Sequence, residues 1–220
     1  MFQAKSAEDP VTVVSEYLDV AGIIREFLAT DEVAKYWDYP SALEEWTVAG
    51  LAGHLARPVL NMPTILAAEV PTDQPLVTAA GYYFSMPLSD QHVGSPVAID
   101  IRKRGVASAG TDAKDLLTRY DAALAELQQT LPTLPEDHEV VGLGVRMLLG
   151  EYLTTRMVEL VVHADDLAVS IGKTSPIFSL EATDIVVSTL ACISTRRNSP
   201  TDVIRAFARE ERQIQRLSVF

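Results

Sequence analysis

Cysteine is almost missing from this chain. The single residue, Cys192, excludes an internal disulfide and every CxxC zinc or redox motif. It lies in the apolar run Val186–Ile193 and reads as a buried core residue. Long hydrophobic runs are missing as well: no stretch approaches the roughly 18 consecutive apolar residues of a membrane span. The opening MFQAKSAEDP is polar and has no apolar signal core, so the expected location is the cytoplasm. Positive charge is scarce. Against 30 Asp and Glu stand 18 Lys and Arg, a formal net charge of −12. Such a chain repels a phosphate backbone, which argues against nucleic-acid partners. Arg102, Lys103 and Arg104 make one turn of basic charge, read as a solvated helix face. Strand patterns are almost absent.

What is there suits a helical protein. The chain has 220 residues, 48% hydrophobic and 22% charged, enough to bury a sizeable core. Val13, Val14, Tyr17, Leu18, Ala21, Ile24, Phe27 and Leu28 recur at helical spacing. They predict a helix from Asp9, as cap, to Thr30, with a short piece over 31–38 after it. A second helix starts at Thr47 and carries His54. Pro58 has no N–H for the carbonyl of His54, which predicts a kink or break just after His54, and Pro63 repeats the signal. Residues 71–96, rich in Pro, Gly, Ser and aromatics, read as a long connection of the kind that forms lids or binding loops. His92 lies in it, and His138 lies in a polar turn; both read as exposed. Tyr82, Tyr83 and Phe84 read as packing.

Further helices are expected over 97–130, broken near Gly110, then over 143–171 with Gly172 just past the end. Two more are expected over 179–195 and from Pro200, capped by Ser199, to Gln213. A short extended piece fits 138–141. The expected architecture is an all-α up-down bundle over residues 1–175. A helical C-terminal extension over 176–220 packs on it.

The helix over 143–171 is apolar on most sides, yet Arg156, Glu159, His163 and Asp166 are set into it at spacings of 3, 4 and 3. At about 3.6 residues per turn they form one narrow stripe. A buried carboxylate must protonate or find a cation. One explanation is an internal ion-pair network, Arg156 with Glu159 and His163 with Asp166. The other is a metal held by Glu159 and His163, whose i,i+4 spacing puts both over one spot. His54, on a neighbouring helix, makes a third donor. Two His and one Glu leave a fourth position open, as in catalytic zinc sites, though nickel, iron or cobalt also suit these donors. Asp166 then suits an acceptor for a ligating imidazole. Arg156 suits balancing the carboxylates or holding an anionic substrate.

WTVAGLAGHLAR (Trp46–Arg57) and TTRMVELVVHADDLAVSIG (Thr154–Gly172) resemble the two signatures of the mycothiol-dependent maleylpyruvate isomerase family, part of the DinB-like superfamily of metal-binding four-helix bundles. The resemblance covers roughly residues 10–175. It implies the same three ligands, His54, Glu159 and His163, with zinc and the thiol mycothiol as cofactors. It also implies a small-molecule thiol and an electrophilic substrate as partners. The assembly is read as a monomer or homodimer. The metal holds the thiolate, which adds to an electrophilic carbon, for isomerisation or for thiol transfer. Full isomerases carry a C-terminal α/β domain where residues 176–220 here read as helices, which tilts the expectation towards a thiol S-transferase. Two alternatives stay open: a metal-dependent hydrolase of a small amide, and a non-catalytic metal- or ligand-binding module.

Overall fold

The structure is a computed structural model and describes residues 12–71, 73–85, 92–135, 137–142, 144–208 and 211. Its first helix, α1 (Val13–Leu28), begins where the apolar pattern does. Thr12 caps it, accepting from Ser15 N, and the Ser15 side chain bonds back in a reciprocal box. The expected cap at Asp9 lies outside the described residues. A short α2 (Asp31–Lys35) follows. Then comes α3 (Val48–Leu60), capped by Thr47 as its side chain foretells.

Pro58 does not break α3 after His54. The helix runs through it to Leu60, and the interruption falls at Asn61, before α4 (Met62–Leu66) with Pro63 in its first turn. A proline forfeits one backbone bond and strains one turn at about 3 kcal/mol. Leu51, Leu55 and Val59 around it are all 0% exposed, and the Tyr17 hydroxyl donates to the Pro58 carbonyl at 2.9 Å. Burial on both sides of the proline outweighs the lost bond.

The connection over 71–96 contains a helix, α5 (Ala79–Ser85). Tertiary contacts hold it. Glu151 Oε2 accepts from Ala79 N at 2.6 Å, and Val77 N bonds the Arg146 carbonyl at 2.9 Å. Next come α6 (Pro96–Ala109), capped by Ser95, and α7 (Ala113–Thr130), capped by Asp112. The break between them is at Gly110, whose φ of +76° suits glycine.

The expected helix start at Leu143 is corrected. A two-stranded antiparallel hairpin, β1 (Glu139–Gly142) and β2 (Val145–Leu148), occupies that stretch, and α8 begins only at Leu149 and ends at Ile171. A bidentate pair between Arg146 and Glu139 crosses the hairpin at 2.6 and 2.8 Å. Gly142 lets it sit close, since a Cβ there would stand 2.1 Å from the Tyr152 ring of α8. Gly172 ends α8 in the left-handed region as expected. The last described helices are α9 (Leu180–Arg197), capped by Ser179, and α10 (Pro200–Ala208).

Four helices close a ring: α1 packs on α7 and α8, and α3 packs on the same two. This is an all-α four-helix bundle, with α6 laid against α3 and α9 against α8, α1 and α5. Its core includes Tyr17, Ile24, Leu51, Leu55, Tyr120, Leu153, Leu160 and Leu167. Cys192 is half-buried at the edge of this core rather than inside it. Val169 is 62% exposed, so α8 keeps a solvent edge at its C-terminal end. No described helix is long and apolar enough to cross a membrane.

Candidate metal centre

α3 and α8 pack face to face in the ring. That places His54 opposite the polar stripe of α8. The approach of α3 to α6 is unusually close: a Cβ on Gly105 would meet the Gly50 carbonyl at 2.7 Å and the His54 Cβ at 3.2 Å. Glycine at 105 therefore sets how deep His54 sits. The Trp46 ring covers the imidazole on another side, centroids 5.2 Å apart.

His54, Glu159 and His163 each present a ligand atom, all within 4.8 Å of one another. Glu159 Oε2 is 3.5 Å from His163 Nε2 and 3.9 Å from His54 Nε2, and the two imidazole centroids are 4.6 Å apart. All three side chains are 16–17% exposed. His163 Nδ1 pairs with Asp166 Oδ2 at 2.8 Å, which fixes its ring and leaves Nε2 directed at Glu159. His54 Nδ1 is buried and has no hydrogen-bond partner among the described residues. A satisfied core histidine would not leave one nitrogen orphaned and aim the other at a carboxylate.

Half of the ion-pair network is present. His163 pairs with Asp166, but Arg156 makes no ion pair with Glu159. Its Nη2 donates to Tyr82 Oη and its Nε to Thr155 Oγ1, both at 3.1 Å, and its guanidinium lies 5.0 Å from the Tyr152 ring centroid. Glu159 receives a different partner: the Tyr83 hydroxyl, at 3.1 Å from Oε1. Residue-type reasoning assigned Tyr82 and Tyr83 to packing. Their signal was their place beside the stripe, and α5 supplies that only through its bonds to Glu151 and β2. His92 is exposed, and His138 is half-buried rather than exposed.

The electrostatics separate the two histidines. Burial, together with the charges of His163, Arg57 and Arg156, pulls the His54 imidazole down to about 3. Burial also disfavours a charged His163. Its bonds to Asp166 and Glu159 outweigh that and push it up to about 9. Burial works against the Glu159 carboxylate, yet the His163 bond and charge hold it well below the usual range. Without a cation other than a proton, His163 carries the positive charge of the site. Two imidazoles and a carboxylate converging on one point, with Asp166 behind one imidazole, are the donors a divalent ion takes. The residues therefore fit such a metal.

The family model of the mycothiol maleylpyruvate isomerase N-terminal domain matches residues 20–168, which include His54, Arg156, Glu159, His163 and Asp166. The chain belongs to this family. Two solved structures are similar to it. One is a mycothiol-dependent maleylpyruvate isomerase, 19% identical with a TM-score of 0.51. The other is a histidine-to-alanine mutant of a mycothiol-dependent maleylpyruvate isomerase, 18% identical with a TM-score of 0.50. Each alignment covers 88% of this chain and 75% of the other, and at this identity the likeness speaks for the fold. No curated protein gives a match.

Proposed function

We propose that His54, Glu159 and His163 hold one divalent metal, zinc, and that the protein is a mycothiol-dependent enzyme acting on small electrophiles. The reaction is thiol S-transfer or isomerisation, carried out in the cytoplasm. One observation carries this reading: three donor atoms gathered within 4.8 Å, inside the segment that matches the family model. A divalent metal there supplies Lewis acidity, which favours the thiolate form of a bound thiol.

The chain's own residues do the rest. Asp166 holds the proton at His163 Nδ1, so that Nε2 offers its lone pair. Tyr83 holds Glu159 Oε1 and leaves Oε2 towards the histidines. Arg156 keeps a positive charge one turn away, steadied by Tyr82 and Tyr152. The apolar wall of α3 and the Trp46 ring limit water around His54.

A hydrolytic role would need a general base beside the metal. Asp166 is engaged with His163, and Glu159 serves as a ligand. The test is consumption of mycothiol by zinc-loaded protein in the presence of several small electrophiles. Loss of thiol that depends on His54 and Glu159 supports the reading. Substrate turnover that ignores added thiol favours hydrolysis instead.

A further inference from the structure

The ridge of α8 that carries Glu159 and His163 starts two turns before them, at Glu151. Glu151, Thr155, Glu159 and His163 follow at every fourth residue, a row that slants along one side of a helix. Helix α5 meets three members of this row. At its first residue, Ala79 N donates to Glu151 Oε2 at 2.6 Å. One turn later, the Tyr83 hydroxyl lies 3.2 Å from the Thr155 carbonyl and 3.1 Å from Glu159 Oε1. Glu151 and Glu159 are separated by about 12 Å of helix rise, whereas Ala79 and Tyr83 are separated by about 6 Å. The length of the Tyr83 side chain covers the difference. The register of α5 on α8 therefore decides whether the phenol arrives at Glu159. A slip of one residue in α5 would swing the ring by about 100°.

With 7 residues, α5 has little of its own to fix that register. The chain before it is tied to the hairpin: Val77 N donates to the Arg146 carbonyl at 2.9 Å, and Arg146 Nη1 to the Gln74 carbonyl at 2.8 Å. On α5 itself, Arg156 Nη2 donates to Tyr82 Oη beside the centre, and Glu151 takes the N–H of the opening residue. We propose that Glu151 is a positioning residue of the metal centre. It pins the first turn of α5 and, through Tyr83, holds Glu159 Oε1, so that Oε2 stays turned to the histidines. The inference rests on the reading of His54, Glu159 and His163 as a metal site. Glu151 touches none of the three donors and acts by reach rather than by charge.

Zinc affinity, measured by chelator competition in Glu151→Asp, Glu151→Gln, Tyr83→Phe and the Glu151→Asp, Tyr83→Phe pair, tests this. Glu151→Asp keeps the charge and falls one methylene short of Ala79 N. Glu151→Gln loses the charge and keeps an oxygen at the same reach. Positioning predicts about a tenfold loss in Glu151→Asp, with Glu151→Gln nearer the parent. A direct effect of charge on a divalent ion gives the reverse order, which would overturn the proposal. In the Tyr83→Phe background, Glu151→Asp should cost no more than about twofold. The full loss in that background also overturns it, since Glu151 then acts without Tyr83. If Glu151→Asp does not fold, Ala79→Pro cuts the same bond from α5, at a first helical position where proline fits. It should show the same loss, and unchanged affinity there overturns the proposal. The Tyr83 hydroxyl proton, followed by NMR in metal-free protein, separates this inference from the metal reading. Its slow exchange with water should persist in the parent and in Glu151→Gln and be lost in Glu151→Asp. If the parent binds no zinc and the hydroxyl behaves in this way, the metal reading falls and the pinning of Tyr83 by Glu151 stands. A hydroxyl indifferent to Glu151→Asp overturns the proposal whatever the metal content.

Discussion

Tyr83 and Glu159 are joined across two helices: the phenol of α5 lies 3.1 Å from Oε1 of a carboxylate on α8, and 3.2 Å from the Thr155 carbonyl. Burial and the neighbouring Glu159 charge push the Tyr83 phenol well up, so it stays a neutral donor. One oxygen of Glu159 is thereby occupied, and the other faces both histidines. This relationship links a helix hidden in a Pro- and Gly-rich connection to the centre of the bundle.

Tyr83→Phe should therefore leave the fold intact and weaken metal binding. Loss of a partner that orients a ligand typically costs about 10–100-fold in metal affinity. Competition against a chromogenic chelator measures it. An unchanged affinity would show that Glu159 is positioned by the helix alone.

Asp166→Asn should weaken metal binding by a similar factor, about 10–100-fold. It should also bring the His163 imidazole of the metal-free protein down towards its ordinary value. Side-chain NMR titration of His163 reads the second effect separately from the first.

Metal-free protein should be most stable near the ordinary histidine range. His163 is raised in the fold, so its contribution is full below about 6.5 and is lost as pH rises towards about 9. His54 is depressed to about 3, so stability falls as pH drops below about 6.5, where the unfolded chain takes up a proton and the fold does not. Thermal unfolding of chelator-treated protein across pH 4–10 should give a maximum near 6.5 in the part that His54→Gln and His163→Gln remove. Stability that keeps rising to pH 9 would contradict the charge assignment. Zinc added at neutral pH should release a proton, since His163 must be neutral to ligate.

Gly53→Ala should destabilise the protein by about 1–3 kcal/mol, the usual cost of forcing extra volume into a packed interior. Its Cβ would stand 2.2 Å from the Gly105 carbonyl and 2.5 Å from Ala109 N, both backbone atoms that cannot swing aside. Denaturant unfolding measures it. A neutral result would mean that α6 is free to move off α3.

The cluster of candidate metal donors was legible because it breaks a pattern. Glu159 and His163 sit where an apolar helix should continue, and i,i+4 spacing has one geometric meaning in a helix. Gly110 and Gly172 ended helices where expected, because positive φ favours glycine strongly. The misses share a cause. Val145, Met147 and Leu148 fit a helix as well as a strand, and tertiary contacts such as the Arg146–Glu139 pair and the docking of Gly142 on Tyr152 favour the hairpin. Pro58 signals a break that buried neighbours overrule. Helix α5 has 7 residues, too short to stand on propensity alone, and depends on Glu151 and β2, which are distant in sequence. The roles of Tyr82 and Tyr83 were hidden with it.

The most direct measurement is the metal content of untagged protein purified without chelator, by mass spectrometry, beside His54→Ala and Glu159→Ala. The account predicts about one zinc per chain in the parent, lost in both variants while they remain folded. A folded parent that holds no metal, even after zinc is added back, would contradict it and leave Glu159, His163 and Asp166 as an internal ion-pair network.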